Sequence, residues 1–209
     1  MKQRPKITPF LWFEDRAEEA LRFYCSIFEG AKVLEPTRWG PNAPAPEGSL
    51  MTATLQLAGQ QLIVMQAGSA PRFNDAFSLF VSCDSQAELD RYWKELLAGG
   101  GKPIQCGWLK DKFGLSWQIA PAALLRMMAD EDPAKVQRVT AAMMQMVKLD
   151  LGELERAFAS ASAARKAQPK RTAQPKRTAQ PKRTAQPKRT AKPKPTAKPA
   201  RAKRSRRAR

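Results

Sequence analysis

Any acid–base or metal chemistry in this 209-residue chain must be done without histidine, because the sequence contains none. That removes the side chain that titrates nearest neutral pH and the commonest protein ligand of transition metals. The work falls to carboxylates, thiols, amines and neutral amides. Cys25, Cys83 and Cys106 are odd in number, widely spaced and never in a CxxC pair, which fits reduced thiols used as small buried hydrophobes. Cys106 has no base or cation beside it to activate it as a nucleophile, but with Gly107 and Trp108 it reads as part of a strand bordering the cavity. Lys110 and Asp111, in "KDK", read as turn residues that meet solvent.

Neutral polar groups recur at strand spacing. In "LMTATLQL", Thr52, Thr54 and Gln56 point one way while Met51, Ala53, Leu55 and Leu57 point the other. In "LSWQIA", Ser116, Gln118 and Ala120 share one face opposite Leu115, Trp117 and Ile119. Such stripes are either the solvated face of a half-buried sheet or the lining of a cavity. Tryptophan supplies apolar wall and an N–H donor to such cavities, so Trp12, Trp108 and Trp117 divide between core and lining. The candidate cavity residues are therefore Trp12, Thr54, Gln56, Cys106, Trp108 and Gln118, with no metal ligand set and no cofactor. Arg72, Phe73 and Asn74, in the loop before the second strand cluster, form either a plain connection or a segment reaching a ligand.

These residues need elements to carry them. Ile7 to Phe13 reads as a strand, and from Asp15 the apolar positions Ala17, Ala20, Leu21, Tyr24, Ile27 and Phe28 mark one helix face. Gly30 is its expected cap, followed by an extended run. The same grammar returns seventy positions later: a strand over Phe77 to Cys83, a capping box from Ser85 and Glu88, and a face of Leu89, Tyr92, Trp93, Leu96 and Leu97. Gly99 to Gly101 then end that helix. Each half closes with a hairpin, turning near Ala58 and Gly59 and within 110–114. The pattern predicts an internally duplicated α+β domain of paired βαβββ modules, helices on one sheet face, the other face free to curve around a ligand.

Beyond Pro121, Asp132 and Pro133 open a helix whose expected face is Val136, Val139, Thr140, Met143, Met144 and Val147. Asp150 and Glu153 form a further capping box above Leu151, Leu154 and Phe158. Charge then changes abruptly. Nineteen of the 37 basic residues and none of the 19 acids lie in 165–209, so residues 1–164 carry 18 bases against 19 acids. The tail repeats AQPKRT, with Lys-Arg pairs at Lys170 and Arg171, Lys176 and Arg177, Lys182 and Arg183, and Lys188 and Arg189. It has no large apolar side chain to offset the entropy of ordering, which predicts disorder over 161–209 beside a folded domain over 1–160. Proline at every hexad prevents helix, and without aromatic residues to stack on bases the tail is suited to sequence-blind contact with DNA or RNA phosphates. No apolar run has the length of a signal peptide or membrane span, so a cytoplasmic protein is expected, with association to the nucleoid through the tail as an option.

The stretches "ITPFLWFEDRAEEALRFYCSIFEGAKV", "FNDAFSLFVSCDSQAELDRYWKELLAGGG", "CGWLKDKFGLSWQIAP" and "DPAKVQRVTAAMMQMVKLDLGELERAF" resemble the PhnB-like branch of the glyoxalase/bleomycin-resistance/dioxygenase superfamily, the vicinal oxygen chelate (VOC) proteins. The resemblance covers residues 5 to about 160 and implies the paired βαβββ fold, often dimeric, with a sheet-lined cavity. In its metal-dependent members His and Glu, sometimes Gln, hold a divalent ion. Here the corresponding positions fall on Gln118, on Thr54 or Gln56, and among Pro9, Phe10, Phe77 and Ser78, a set that predicts no tight metal site. Many relatives bear the label 3-demethylubiquinone 3-methyltransferase, yet no Gly-rich loop opens a helix after the first strand, as S-adenosylmethionine binding usually requires. The expected function is a homodimeric small-molecule-binding domain tethered to nucleic acid by its tail. A small-substrate enzyme using Gln118, Gln56 and Cys106, or a nucleoid-associated binding protein, are the alternatives.

Overall fold

A computed structural model describes residues 5–69 and 71–160, and the expectations for the Lys-Arg tail lie outside these residues. The first module is β1 (Phe10–Phe13), α1 (Ala17–Ile27), β2 (Lys32–Arg38), β3 (Leu50–Leu57) and β4 (Gln60–Gln66). The second is β5 (Ser78–Cys83), α2 (Gln86–Leu97), β6 (Lys102–Pro103), β7 (Trp108–Lys110) and β8 (Ser116–Pro121). Their sheets have the same strand order, β1-β4-β3-β2 and β5-β8-β7-β6, with the first strand parallel to the last in each. The duplicated α+β architecture of paired βαβββ modules is therefore present, followed by α3 (Ala122–Met128), α4 (Pro133–Met143) and α5 (Leu151–Ala159).

Local sequence accounts for most boundaries. The expected face of α1 is buried at every position from Ala17 to Phe28. Ser85 Oγ accepts from Glu88 N at 3.2 Å while the Glu88 carboxylate accepts from Asp84 N at 2.8 Å, closing the box one residue earlier than its usual return. Asp132 and Asp150 cap α4 and α5 by accepting from Ala134 N and Glu153 N. Ala58 and Gly59, at φ 44° and 87°, make the two-residue turn that matches the twist of β3 and β4. The N-terminus of α1 is capped from a distance, because no side chain at Arg16 does so and Gln66 Oε1 of β4 accepts from Ala17 N at 3.1 Å.

One core joins both modules. Leu11, Ala53, Leu55, Leu62 and Val64 lie under α1, and the helix reaches the second sheet through Phe28. The Phe28 ring stacks on Tyr92 at 4.9 Å and on Trp117 at 5.5 Å. Such pairs add about 0.5–1.5 kcal/mol each beyond the area they bury.

Three expectations are corrected. Strand β1 starts at Phe10 instead of Ile7, which is exposed. Helix α4 ends at Met143, so Met144 and Val147 do not extend its apolar face and are about half exposed. The chain turns there because Met146 O and Val147 O accept from Cys106 N and Gly107 N at 2.8 and 2.9 Å. For the same reason Cys106 is not on a strand: it sits at φ 60° in a turn, half-buried, its thiol against Met144 Sδ at 3.6 Å. Gly107 follows at φ 81°, where a Cβ would lie 2.7 Å from Ile119 O and 3.0 Å from Leu149. Of the three cysteines only Cys83 is fully buried, and burial pushes its thiol up to about 12.

Candidate functional site

Strand register sorts the predicted residues. On the first sheet the rows Phe10, Ile63, Thr54, Leu34 and Trp12, Met65, Thr52 lie on the face turned away from α1, beside Gln61 and Gln56. On the second sheet Phe80, Gln118 and Trp108 form one row and Ser78, Ser116 and Lys110 the next. Both faces mix aromatic with neutral polar side chains, whereas the opposite faces are apolar and covered by helices. The structure thus brings Trp12 and Gln56 to one open face, with Thr54 in the same face but only 7% exposed, and Trp108 and Gln118 to another, and no hydrogen bond or ring contact joins the two sets among the described residues. Cys106 stands apart from both.

Hydrogen bonds fix these faces. Gln118 Nε2 donates to Ser78 Oγ at 2.8 Å, and Trp12 Nε1 donates to Ala67 O at 2.7 Å. Thr37 and Thr52 hydroxyls meet at 2.7 Å. Ser116 Oγ donates to Asp75 at 2.7 Å, and Lys110 Nζ approaches the same carboxylate at 2.9 Å. Lys110 first, then Ser116, hold Asp75 below the ordinary carboxylate range. Phe10 and Phe80 stay about half exposed on these faces.

The donors do not fit the group that the resemblance implies. At the corresponding positions stand amides, hydroxyls, a proline and phenylalanines, with Gln118 already engaged by Ser78, and no cluster of three His, Cys, Asp or Glu forms among the described residues. A divalent transition metal needs imidazole, thiolate or carboxylate to be held tightly. A Rossmann-type S-adenosylmethionine loop does not fit either. Gly99 to Gly101 follow α2 instead of opening a helix, and a Cβ at Gly101 would lie 2.7 Å from Leu97 Cα and 2.9 Å from Lys110 O. Gly101 serves close packing, while Gly99 and Gly100 take the positive φ of 80° and 117° that turns the chain out of the helix.

Sequence reasoning missed one buried centre. Asp111, expected at a solvated turn, is 3% exposed. Its Oδ2 accepts from Tyr24 Oη at 2.8 Å and Trp117 Nε1 at 2.9 Å. Its Oδ1 accepts from Phe113 N at 2.9 Å and Leu115 N at 3.1 Å. Burial pushes Asp111 above the ordinary carboxylate range, against the pull of these four bonds. Burial, and then the Asp111 charge, push Tyr24 well above its usual value. Every acceptor site is filled, so the carboxylate locks α1 to the second module and is not placed to receive a substrate. The legible signal was the "DKF" turn, where an aspartate accepts from the backbone two residues on.

Two clefts lie at the module junction. One, of about 540 Å³, runs along the outer edge of β5 between Leu57, Leu62 and Phe80, with Phe28, Tyr92 and Trp117 behind it. The other, of about 370 Å³, lies where the end of β1 and the start of α1 meet residues 71–73 and the β7–β8 turn. Of the six predicted cavity residues only Trp12 lines either.

A family model described as 3-demethylubiquinone-9 3-methyltransferase matches residues 5–120. No curated protein matches the chain. The PhnB protein of Bacillus cereus, named for the same methyltransferase, is 35% identical over 56% of this chain and 100% of its own, with a TM-score of 0.53. Protein PA1353 of Pseudomonas aeruginosa is 23% identical over 56% of this chain and 98% of its own, with a TM-score of 0.47. The fosfomycin resistance protein FosX of Listeria monocytogenes is 14% identical over 55% and 90%, at 0.39, and these last two likenesses carry no argument about chemistry. Helices α3 to α5 lie beyond the matched range. With residues 5–120 matched and a PhnB protein aligned along its whole length, the chain belongs to the PhnB-like, 3-demethylubiquinone-9 3-methyltransferase family of the VOC superfamily.

Proposed function

We propose that the folded domain binds a small molecule against its open sheet faces without a tight metal, and that the tail tethers it to nucleic acid. The observation that carries this reading is the contrast between faces: helices cover one side of each sheet with apolar contacts, while the other side presents Trp12 and Gln56 or Trp108 and Gln118. Partly apolar surface with a few fixed polar groups is the make-up of small-molecule sites. Because the two faces of one chain are not joined, a second copy is the natural means of closing one over the other, which makes the binding form a homodimer.

The tail's part rests on charge. Nineteen cations without an acid attract polyanions, and each phosphate neutralised releases a counterion, so affinity falls as salt rises and ignores sequence. The test compares DNA and RNA binding by the full chain and by a chain ending at Ala164 across a salt series, with metal analysis of both. Binding by the full chain alone, steeply salt-dependent and without stoichiometric metal, is the expected result. Equal binding by the shortened chain refutes the tether, and stoichiometric metal refutes the metal-free cavity.

A further inference from the structure

The cleft of about 370 Å³ at the module junction touches the open sheet faces only through Trp12 and Lys110 and joins aromatic rings to charged groups. Its floor is aromatic: Phe13 meets Phe73 edge-on at 5.1 Å and Phe113 at 6.1 Å. Its rim carries Arg16, Arg72, Lys110 and Lys112 together with Glu14 and Asp15. Four cations suggest an anion site, but three are already engaged. Arg16 makes a two-pronged pair with Glu19, Nε to Oε2 at 2.7 Å and Nη2 to Oε1 at 2.9 Å. Lys112 Nζ reaches the same Glu19 at 2.8 Å, and Lys110 belongs to Asp75. Arg16 and then Lys112 hold Glu19 down at about 2.

What remains without an ion pair among the described residues is one guanidinium, Arg72, and two carboxylates, Glu14 and Asp15. A dianion such as phosphate would gain Arg72 but face both carboxylates, and like charges at close range repel. An uncharged aromatic molecule would fit the floor while stripping water from the rim charges without replacing it. The complement of this cleft is a molecule with one carboxylate, one ammonium and a flat apolar body. Its volume sits at the small end of the range of about 300–1,000 Å³ typical of small-molecule sites.

We propose that this cleft is a second binding site, sharing Trp12 with the first sheet face but built on Arg72, Glu14 and Asp15, for a small zwitterion with an aromatic body, of the size of an aromatic amino acid. The carboxylate pairs with Arg72, whose planar fork suits two-pronged contact, the ammonium is held by Glu14 and Asp15, and the ring lies against Phe73 beside Phe113, whose own ring already carries Arg16 at 4.8 Å and Lys112 at 5.2 Å. Trp12 lines the same cleft with its indole N–H already committed to Ala67 O, so its resonance reports occupancy without the group being consumed.

The experiment follows the indole N–H signals of the isotope-labelled full chain, with Trp12→Phe identifying the relevant one. L-Phenylalanine at millimolar concentration is expected to shift the Trp12 signal saturably. Hydrocinnamate, which lacks the ammonium, and phenethylamine, which lacks the carboxylate, are expected to bind about tenfold more weakly or worse, one charge pair being lost in each. Arg72→Gln should weaken phenylalanine to a similar degree. Arg72 is exposed and holds no other element, so the unfolding midpoint of that variant should match the parent. Absence of a saturable shift, hydrocinnamate binding as well as phenylalanine, or unchanged affinity in Arg72→Gln each overturns the proposal.

Discussion

Replacing Asp111 by Asn changes one buried oxygen into an NH2 group, and the structure sets the cost. The carboxylate meets four donors, and three of them, Trp117 Nε1–H and the N–H groups of Phe113 and Leu115, cannot accept a hydrogen bond. The Tyr24 hydroxyl can reverse and accept from the new amide. The cheaper orientation therefore turns the NH2 toward Tyr24 and Trp117, leaving the indole N–H buried without an acceptor. A hydrogen bond to a charged group contributes about 1.5–3 kcal/mol, and a stranded buried donor costs about 1–3 kcal/mol. Relief of the carboxylate's own desolvation, visible in its raised pKa, offsets part of this, and Asp111→Asn should cost about 2–4 kcal/mol. The pH dependence separates this account from simple packing. A carboxyl with a raised folded pKa binds its proton more tightly in the folded state, so its contribution to stability falls as pH rises from the ordinary carboxylate value through the raised one. Urea unfolding followed by tryptophan fluorescence and circular dichroism, at several pH values in parent and variant, measures both effects. A loss under about 0.5 kcal/mol, well below the range for a stranded donor, would refute the reasoning. So would a pH trend in that window unchanged by the substitution.

Two further outcomes follow from particular contacts. Gly107→Ala forces a Cβ to within 2.7 Å of Ile119 O at a φ of 81°, so both close contact and backbone strain count against it. Strain at such positions alone costs about 1–3 kcal/mol, and thermal unfolding should show a loss of at least that size. Glu19, drawn down by Arg16 and Lys112, should titrate near about 2 by carboxyl NMR, and Lys112→Met should move it back toward the ordinary range. Because its folded pKa is depressed, its contribution is present above the ordinary glutamate value and lost as pH falls through about 2. Titration at the ordinary value in the parent would show that the shared ion pair does not persist in solution.

The elements were legible because they are local. The spacing of Ala17, Ala20, Leu21, Tyr24 and Ile27 specifies a helix face wherever that segment folds, and the box at Ser85 and the cap at Asp150 close within a few residues of themselves. Alternation in "LMTATLQL" likewise placed Thr52, Thr54 and Gln56 on one face before any partner strand was known. The pattern was weaker where a boundary depends on a distant acceptor. Nothing in "VTAAMMQMVKLD" announces that the chain leaves its helix at Met143 to pair with Cys106 and Gly107.

From the sequence alone come the duplication, the α+β class, the absence of imidazole and the division of charge between 1–164 and the tail, since each depends on residue type and order. Only the tertiary structure decided that Asp111 is buried, because its donor Tyr24 lies 87 positions away and reaches it once α1 packs on the second module. The structure also decided that, among the described residues, Arg72 alone of the four clustered cations has no ion pair, because pairing depends on which carboxylates the fold brings within about 4 Å. Periodicity records which way a side chain points along its own element; what it meets there is set by segments that the same periodicity does not relate.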